Sequence, residues 1–323
     1  MSEPPGHTSG QAPAGFSWGD LVTVLVEQHG TLTQVAWKLI EHASGDDVAS
    51  IERALRRLRG RGQANGGVWG QRVLRVFGPP ATVESRLRWM GLYHSPFTDL
   101  PIALCTDQLR LWDRPPISES RARVWIQLGY ATCALRQRRF DEAAQHCVQA
   151  RVAEVPGDAR IELALTEAYI ASRGDGDVSA MLDAAERVLA SAGLGAEDAA
   201  CFRARIADQR AFQINRAGAH ADALALYEAL PALDVHPFAS YRRDAGRAYC
   251  LHRTGRTVEA LVLAQRAIAH AGDGGYTRLR AMGLLLLAKL GPAPEAVARA
   301  RAIAVRLGDD ELLARVERAL TRV

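Results

Sequence analysis

Aromatic residues are scarce in this 323-residue chain, only 6% of it, although apolar residues make up 48%. A core with so few rings has to be built from Ala, Leu and Val, which is helical material. Runs of β-branched residues, the usual substance of strands, are few as well. No stretch approaches the roughly 18–20 uninterrupted apolar residues of a membrane span. The densest one, "AMGLLLLAKL" at 281–290, reads as a buried helix. A strong charge of one sign is also missing. Forty basic residues against 36 acidic leave +4, so bulk charge does not announce a nucleic-acid binder. The five cysteines (Cys105, Cys133, Cys147, Cys201, Cys250) are scattered, odd in number and without a CxxC. That argues against a disulfide framework or a zinc cage and fits reduced, buried thiols in a cytoplasm.

Catalytic signatures are lacking too. The chain has no GxxxxGK[ST], GxSxG or HExxH, and no GxGxxG after a strand. His146 and Cys147 are adjacent, but neighbours on a helix point about 100° apart and do not readily share a metal. Asp141–Glu142 and Asp309–Asp310 fall at helix starts, where acids favour the positive end of the dipole. No enzymatic activity, cofactor or metal is expected. The opening "MSEPPGHTSGQAPAG" has no basic-then-apolar signal pattern, and residues 1–15 read as a disordered leader.

What the chain does have begins with three helix starts in quick succession. "SWGD" (Ser17 to Asp20) has the shape of a capping box and opens a helix that Gly30 stops. "TLTQ" (Thr31 to Gln34) repeats the pattern. A polar turn, with Asp46, Asp47 and Ser50 as caps, then opens "SIERALRRLRGRG". In that helix Ile51, Ala54, Leu55 and Leu58 share one face, and Arg53, Arg56 and Arg57 point the other way. The following "QANGGVWGQRVLRVF" (63–77) carries "NGG", a hairpin signal. Three helices and a hairpin over residues 16–78 resemble the bacterial winged helix-turn-helix domains, with "SIERALRRLRGRGQ" in the place of the recognition helix running into the wing. The charge is placed accordingly. Residues 51–75 hold seven arginines (Arg53, Arg56, Arg57, Arg59, Arg61, Arg72, Arg75) against Glu52 alone, and these seven are the candidate contacts to double-stranded DNA.

After "GPP" (78–80) helical segments alternate with short breaks to the end of the chain. "RRFDEAAQHCVQA" (138–150), "GAHADALALYEAL" (218–230), "GRTVEALVLAQRA" (255–267) and "APEAVARARAI" (293–303) share one shape, aligned on Ala143, Ala223, Ala260 and Ala296. "MLDAAERVLA" (181–190), through Ala184, fills the one double step. Small residues recur twelve positions upstream, at Ala131, Ala211 and Ala248. Tyr169, Tyr227, Tyr241 and Tyr249 are assigned to gaps between helices. This pattern resembles the tetratricopeptide family over about residues 118–305, although the spacing runs from 36 to 41 where the family's is 34. The resemblance implies paired helices stacked into a superhelix. The expected fold is therefore mainly α. Residues 16–78 form a winged helix-turn-helix domain. Residues 79–117 form a divergent helical pair, with Trp89, Tyr93, Phe97 and Trp112 as interdomain core. Residues 118–323 form an α-solenoid capped by a helix from Leu312.

The architecture resembles two classes of bacterial regulators, the peptide-sensing class of Gram-positive bacteria and the antibiotic-regulator class of actinomycetes. It implies a cytoplasmic transcriptional regulator whose repeats bind a peptide, protein or small effector. The effector would change the spacing of paired DNA domains in a homodimer. Gln209, Gln213 and Arg216 on one first helix, and Arg243 and Arg247 on the next, are the candidate groove residues. The competing function is a scaffold or adaptor that binds no DNA. It draws on the near balance of residues 81–323, with 32 basic residues against 29 acidic.

Overall fold

The computed structural model describes residues 15–42, 46–151, 155–174, 177–231 and 236–321. The expected leader, apart from Gly15, lies outside these residues. The described chain is all-helical, with 17 α-helices, 78% of residues helical and no strand. It divides into two compact units, residues 1–84 with 108–123, and residues 85–107 with 124–323. The division falls inside two helices, α5 (Ala81–Gly91) and α6 (Ile102–Trp112).

The first unit is built on α1 (Trp18–His29), α2 (Leu32–Glu41), α3 (Val48–Arg59) and α4 (Gly67–Phe77). Its helix ends follow the sequence signals. Ser17 Oγ accepts from the Asp20 amide at 3.2 Å, and the Asp20 carboxylate accepts from the Ser17 amide at 2.8 Å. Gly30 ends α1 with φ +98°, a conformation that favours glycine. Thr31 caps α2 through the Gln34 amide, and Asp47 caps α3 through the Ser50 amide at 2.7 Å. Ile51, Leu55 and Leu58 are buried in a core with Trp18, Leu21, Val35 and Val73.

The expected hairpin, and with it the wing, is absent. Residues 67–77 are helix α4. Two of the glycines read as turn residues are spacers for a ring. A Cβ on Gly66 would lie 2.2 Å from Trp18 Cζ2, and one on Gly70 2.7 Å from Trp18 Cη2. The indole is pinned in that slot, its Nε1 donating to the Ala64 carbonyl at 2.8 Å. Of the "NGG" glycines only Gly67 has a positive φ, +62°. The run after it is helical in period, since Trp69, Val73 and the pair Val76–Phe77 recur every three to four residues against the core. Gly66 N–H donates to the Glu119 carboxylate at 3.2 Å. Glu119 belongs to a 3-10 turn (Ile117–Glu119) of the same unit.

In the second unit the helices follow in series: α7 (Arg123–Arg136), α8 (Phe140–Ala150), α9 (Gly157–Ala171), α10 (Ser179–Ser191), α11 (Ala196–Arg216) and α12 (His220–Glu228), then α13 (Pro237–Arg253), α14 (Thr257–Asp273), α15 (Thr277–Leu290), α16 (Pro294–Leu307) and α17 (Asp310–Leu320). From α8 onward each helix packs on the next in sequence. From α9 onward the odd-numbered helices also pack on one another. The aligned alanines sit at these crossings. Ala131, Ala143, Ala211, Ala223, Ala248, Ala260 and Ala296 are all buried. The unit at 157–191 departs by one residue. Leu182, Ala185 and Leu189 form the buried stripe of α10, so Ala185 takes the place expected for Ala184. Tyr227 and Tyr241 are buried as expected, and the Tyr227 ring occupies the space that a Cβ on Gly246 would need. Tyr169 and Tyr249 are half-buried. All five cysteines are buried and unpaired. No described helix is long and apolar enough to cross a membrane.

Candidate nucleic-acid interface

At about 100° per residue, Arg53, Arg56 and Arg57 fall within one narrow arc of α3, opposite the stripe of Ile51, Leu55 and Leu58. All three are exposed, as are Arg59, Arg61 and Arg75. Arg53, Arg57 and Arg75 make no ion pair or hydrogen bond among the described residues. Arg56 pairs with Glu52 at 2.6 Å, and Glu52 also accepts from Thr33 Oγ1 on α2 at 2.5 Å. That single acid therefore links the two helices and leaves the arginine arc largely uncompensated. Arg59 reaches Thr23 Oγ1 at 3.4 Å, and Arg61 donates to the Asn65 carbonyl. Arg56, Arg57 and Arg59 also lie in the last turn of α3, where cations meet the negative end of the helix dipole.

Arg72 and Arg75, expected on a wing, project from α4 instead. Arg72 is half-buried, paired with Asp46 at 2.5 Å and lying 4.8 Å over the Trp69 ring. Both arginines, with His42 and Trp69, line an open cleft of about 500 Å³ between α2, α3 and α4. Trp37 on α2, beside exposed Lys38, is 55% exposed. Sequence reasoning passed over Trp37. Its signal was the stripe of Val35, Ala36 and Leu39, which leaves position 37 facing outward.

The five groove candidates do not form one site. Gln209 donates to the Leu165 carbonyl at 2.8 Å, and Arg216 reaches the Ser172 and Gly174 carbonyls at 3.4 Å, so both are tied to the end of α9 and the turn after it. Gln213 Nε2 is buried without a hydrogen-bond partner among the described residues. Arg243 donates to the Pro231 carbonyl and to Asp244, and Arg247 lies 3.9 Å from Glu228.

The odd-numbered helices surround a stretch of the chain itself, residues 92–101, which contains the 3-10 turn Pro96–Asp99. The Tyr93 phenol accepts from Arg278 at 2.8 Å and from Arg242 at 3.3 Å, and the Arg205 guanidinium stands 4.8 Å from its ring centre. Arg205 is held by Glu162 through two bonds of 2.6 and 2.7 Å. Arg136 and Arg278 converge on Asp309 at 3.0 and 2.7 Å. His94 pairs with Asp198 at 3.0 Å, Tyr276 donates to the His94 carbonyl, and Arg136 donates to the Leu100 carbonyl. Burial raises the Tyr93 phenol, but Arg278, Arg242, Arg205 and Arg315 outweigh it and hold it down to about 8. Burial likewise raises the Asp309 carboxyl, and Arg278 and Arg136 overcome this to keep it below the usual carboxylate range. Comparison with protein-family models, curated proteins and solved structures finds no match to this chain.

Proposed function

We propose that this protein is a DNA-binding transcriptional regulator. In this reading α1–α4 act as a helix-turn-helix module without a wing, and α7–α17 form a tetratricopeptide-like solenoid that receives an effector. One observation carries it. The outward arc of α3 holds Arg53, Arg56 and Arg57, of which two have no partner among the described residues, directly opposite the stripe that fixes the helix in its core. An exposed arginine arc of this kind suits phosphates and guanine edges, each reached through two hydrogen bonds. Arg72 and Arg75 on α4 take over the flanking backbone contacts first assigned to a wing. Buried, unpaired thiols support a cytoplasmic site of action.

The test is fluorescence anisotropy of the full chain with random-sequence duplex DNA at several salt concentrations, against the variant R53E/R56E/R57E. The expected result is binding that weakens steeply with salt and is lost in the variant, as counterion release requires. Folded wild type that fails to bind at low salt would overturn the reading. The adaptor reading would then gain, with exposed Trp37 beside Lys38 as the place to look for a protein partner.

A further inference from the structure

Between α12, α13 and α14 the second unit has an open cleft of about 500 Å³, a volume within the range of small-ligand sites. Arg243 and Arg247 enter it from α13, one turn apart. Arg266 and His270 enter from α14, also one turn apart. One carboxylate organises them. Asp244 is fully buried, accepts from Arg243 Nε at 3.2 Å and Arg266 Nη2 at 2.9 Å, and lies 3.5 Å from His270 Nε2. Burial raises the Asp244 carboxyl, but Arg266 and Arg243 outweigh it and keep the group below its ordinary range. Arg243 is further fixed by the Pro231 carbonyl at 2.9 Å.

The charges do not cancel. Three guanidinium groups face Asp244 and one further lining acid, Glu228, which is 49% exposed and no closer than 3.9 Å to Arg247. Two nitrogens, Arg247 Nε and His270 Nε2, are buried with no hydrogen-bond partner among the described residues. Desolvated donors of this kind are costly unless an acceptor arrives. Tyr227 and Leu230 add an apolar wall.

We propose that this cleft binds a small organic anion. Arg247 and Arg266 grip its phosphate or carboxylate group, and Tyr227 and Leu230 hold its apolar remainder. The assignment names the effector class for the regulator proposed above and rests on that reading only for its biological meaning, since the binding itself does not involve α3.

Isothermal titration of the full chain with phenyl phosphate and with benzoate, in chloride buffer, tests it. Saturable binding of either probe supports the assignment, and the preferred probe identifies the acid group. R247Q and R266Q should each weaken that binding about tenfold, the loss of one charge-assisted contact. R306Q, an exposed arginine on α16, should leave it unchanged. R53E/R56E/R57E should also bind the probe normally, so loss of DNA binding and loss of this site are separately visible. Three results would overturn the assignment: folded wild type that takes up neither probe, R247Q and R266Q that both bind as well as wild type, or R306Q that loses as much as they do.

Discussion

Tyr93 and Asp309 show what single residues carry inside the second unit. The phenol lies beside more guanidinium charge than a neutral hydroxyl requires, which is why its proton is held weakly. Absorbance at 295 nm is expected to show a phenol ionising near pH 8, a step that disappears in Y93F. The same shift acts on stability. A phenol ionised more readily in the folded state adds stability that is complete above the ordinary value near 10 and is lost as pH falls through about 8. The unfolding free energy of wild type should therefore rise relative to Y93F between those limits. Asp309 is the shared counter-ion of two buried arginines, Arg136 and Arg278, and also caps α17 through the Leu312 amide. D309N keeps a capping oxygen and removes the charge, leaving both guanidinium groups uncompensated. It should cost about 3–5 kcal/mol in chemical denaturation, the usual penalty for orphaning a buried charge. A loss below 1 kcal/mol would show that water reaches the pair.

At the level of elements, the local signals were legible and the distant ones were not. Ser17, Thr31 and Asp47 announced three helix starts because a cap acts within three residues of itself. The arginine arc was legible for the same reason, since helical period alone sets it opposite Ile51, Leu55 and Leu58. The "NGG" signal misled because Gly66 and Gly70 answer to Trp18, almost fifty residues away, and not to a turn. Helical spacing in Trp69, Val73 and Val76 was the better guide and was outweighed by the turn signal. G70A should put a methyl group against the buried indole and destabilise the first unit by about 1–3 kcal/mol in urea unfolding. S17A, which removes only a cap, should cost about 1 kcal/mol. If G70A proved neutral, the Trp18 slot would be looser than its geometry shows. The alanine alignment slipped by one residue at 184 because a helix with two adjacent alanines offers two registers, and only packing chooses between them.

On the scale of the whole molecule, the helical class followed from composition, because a chain poor in rings and β-branched runs has little else to build with. The place of residues 92–101 was not legible. The groups that hold them, Glu162, Asp198, Arg242 and Arg278, are brought together only by the finished fold. Hydrogen exchange should find the amides of residues 93–100 as slow as those of α11 and α13. Exchange at the rate of a free chain would mean that the stretch leaves its surroundings. Its position has a kinetic and thermodynamic meaning for anything that would bind among those helices. A tethered competitor acts at an effective concentration on the order of millimolar. A soluble peptide making the same contacts would have to reach that level, or bind correspondingly more tightly, before it displaced the chain from its own interior. The protein thus carries a threshold against weak, abundant peptides.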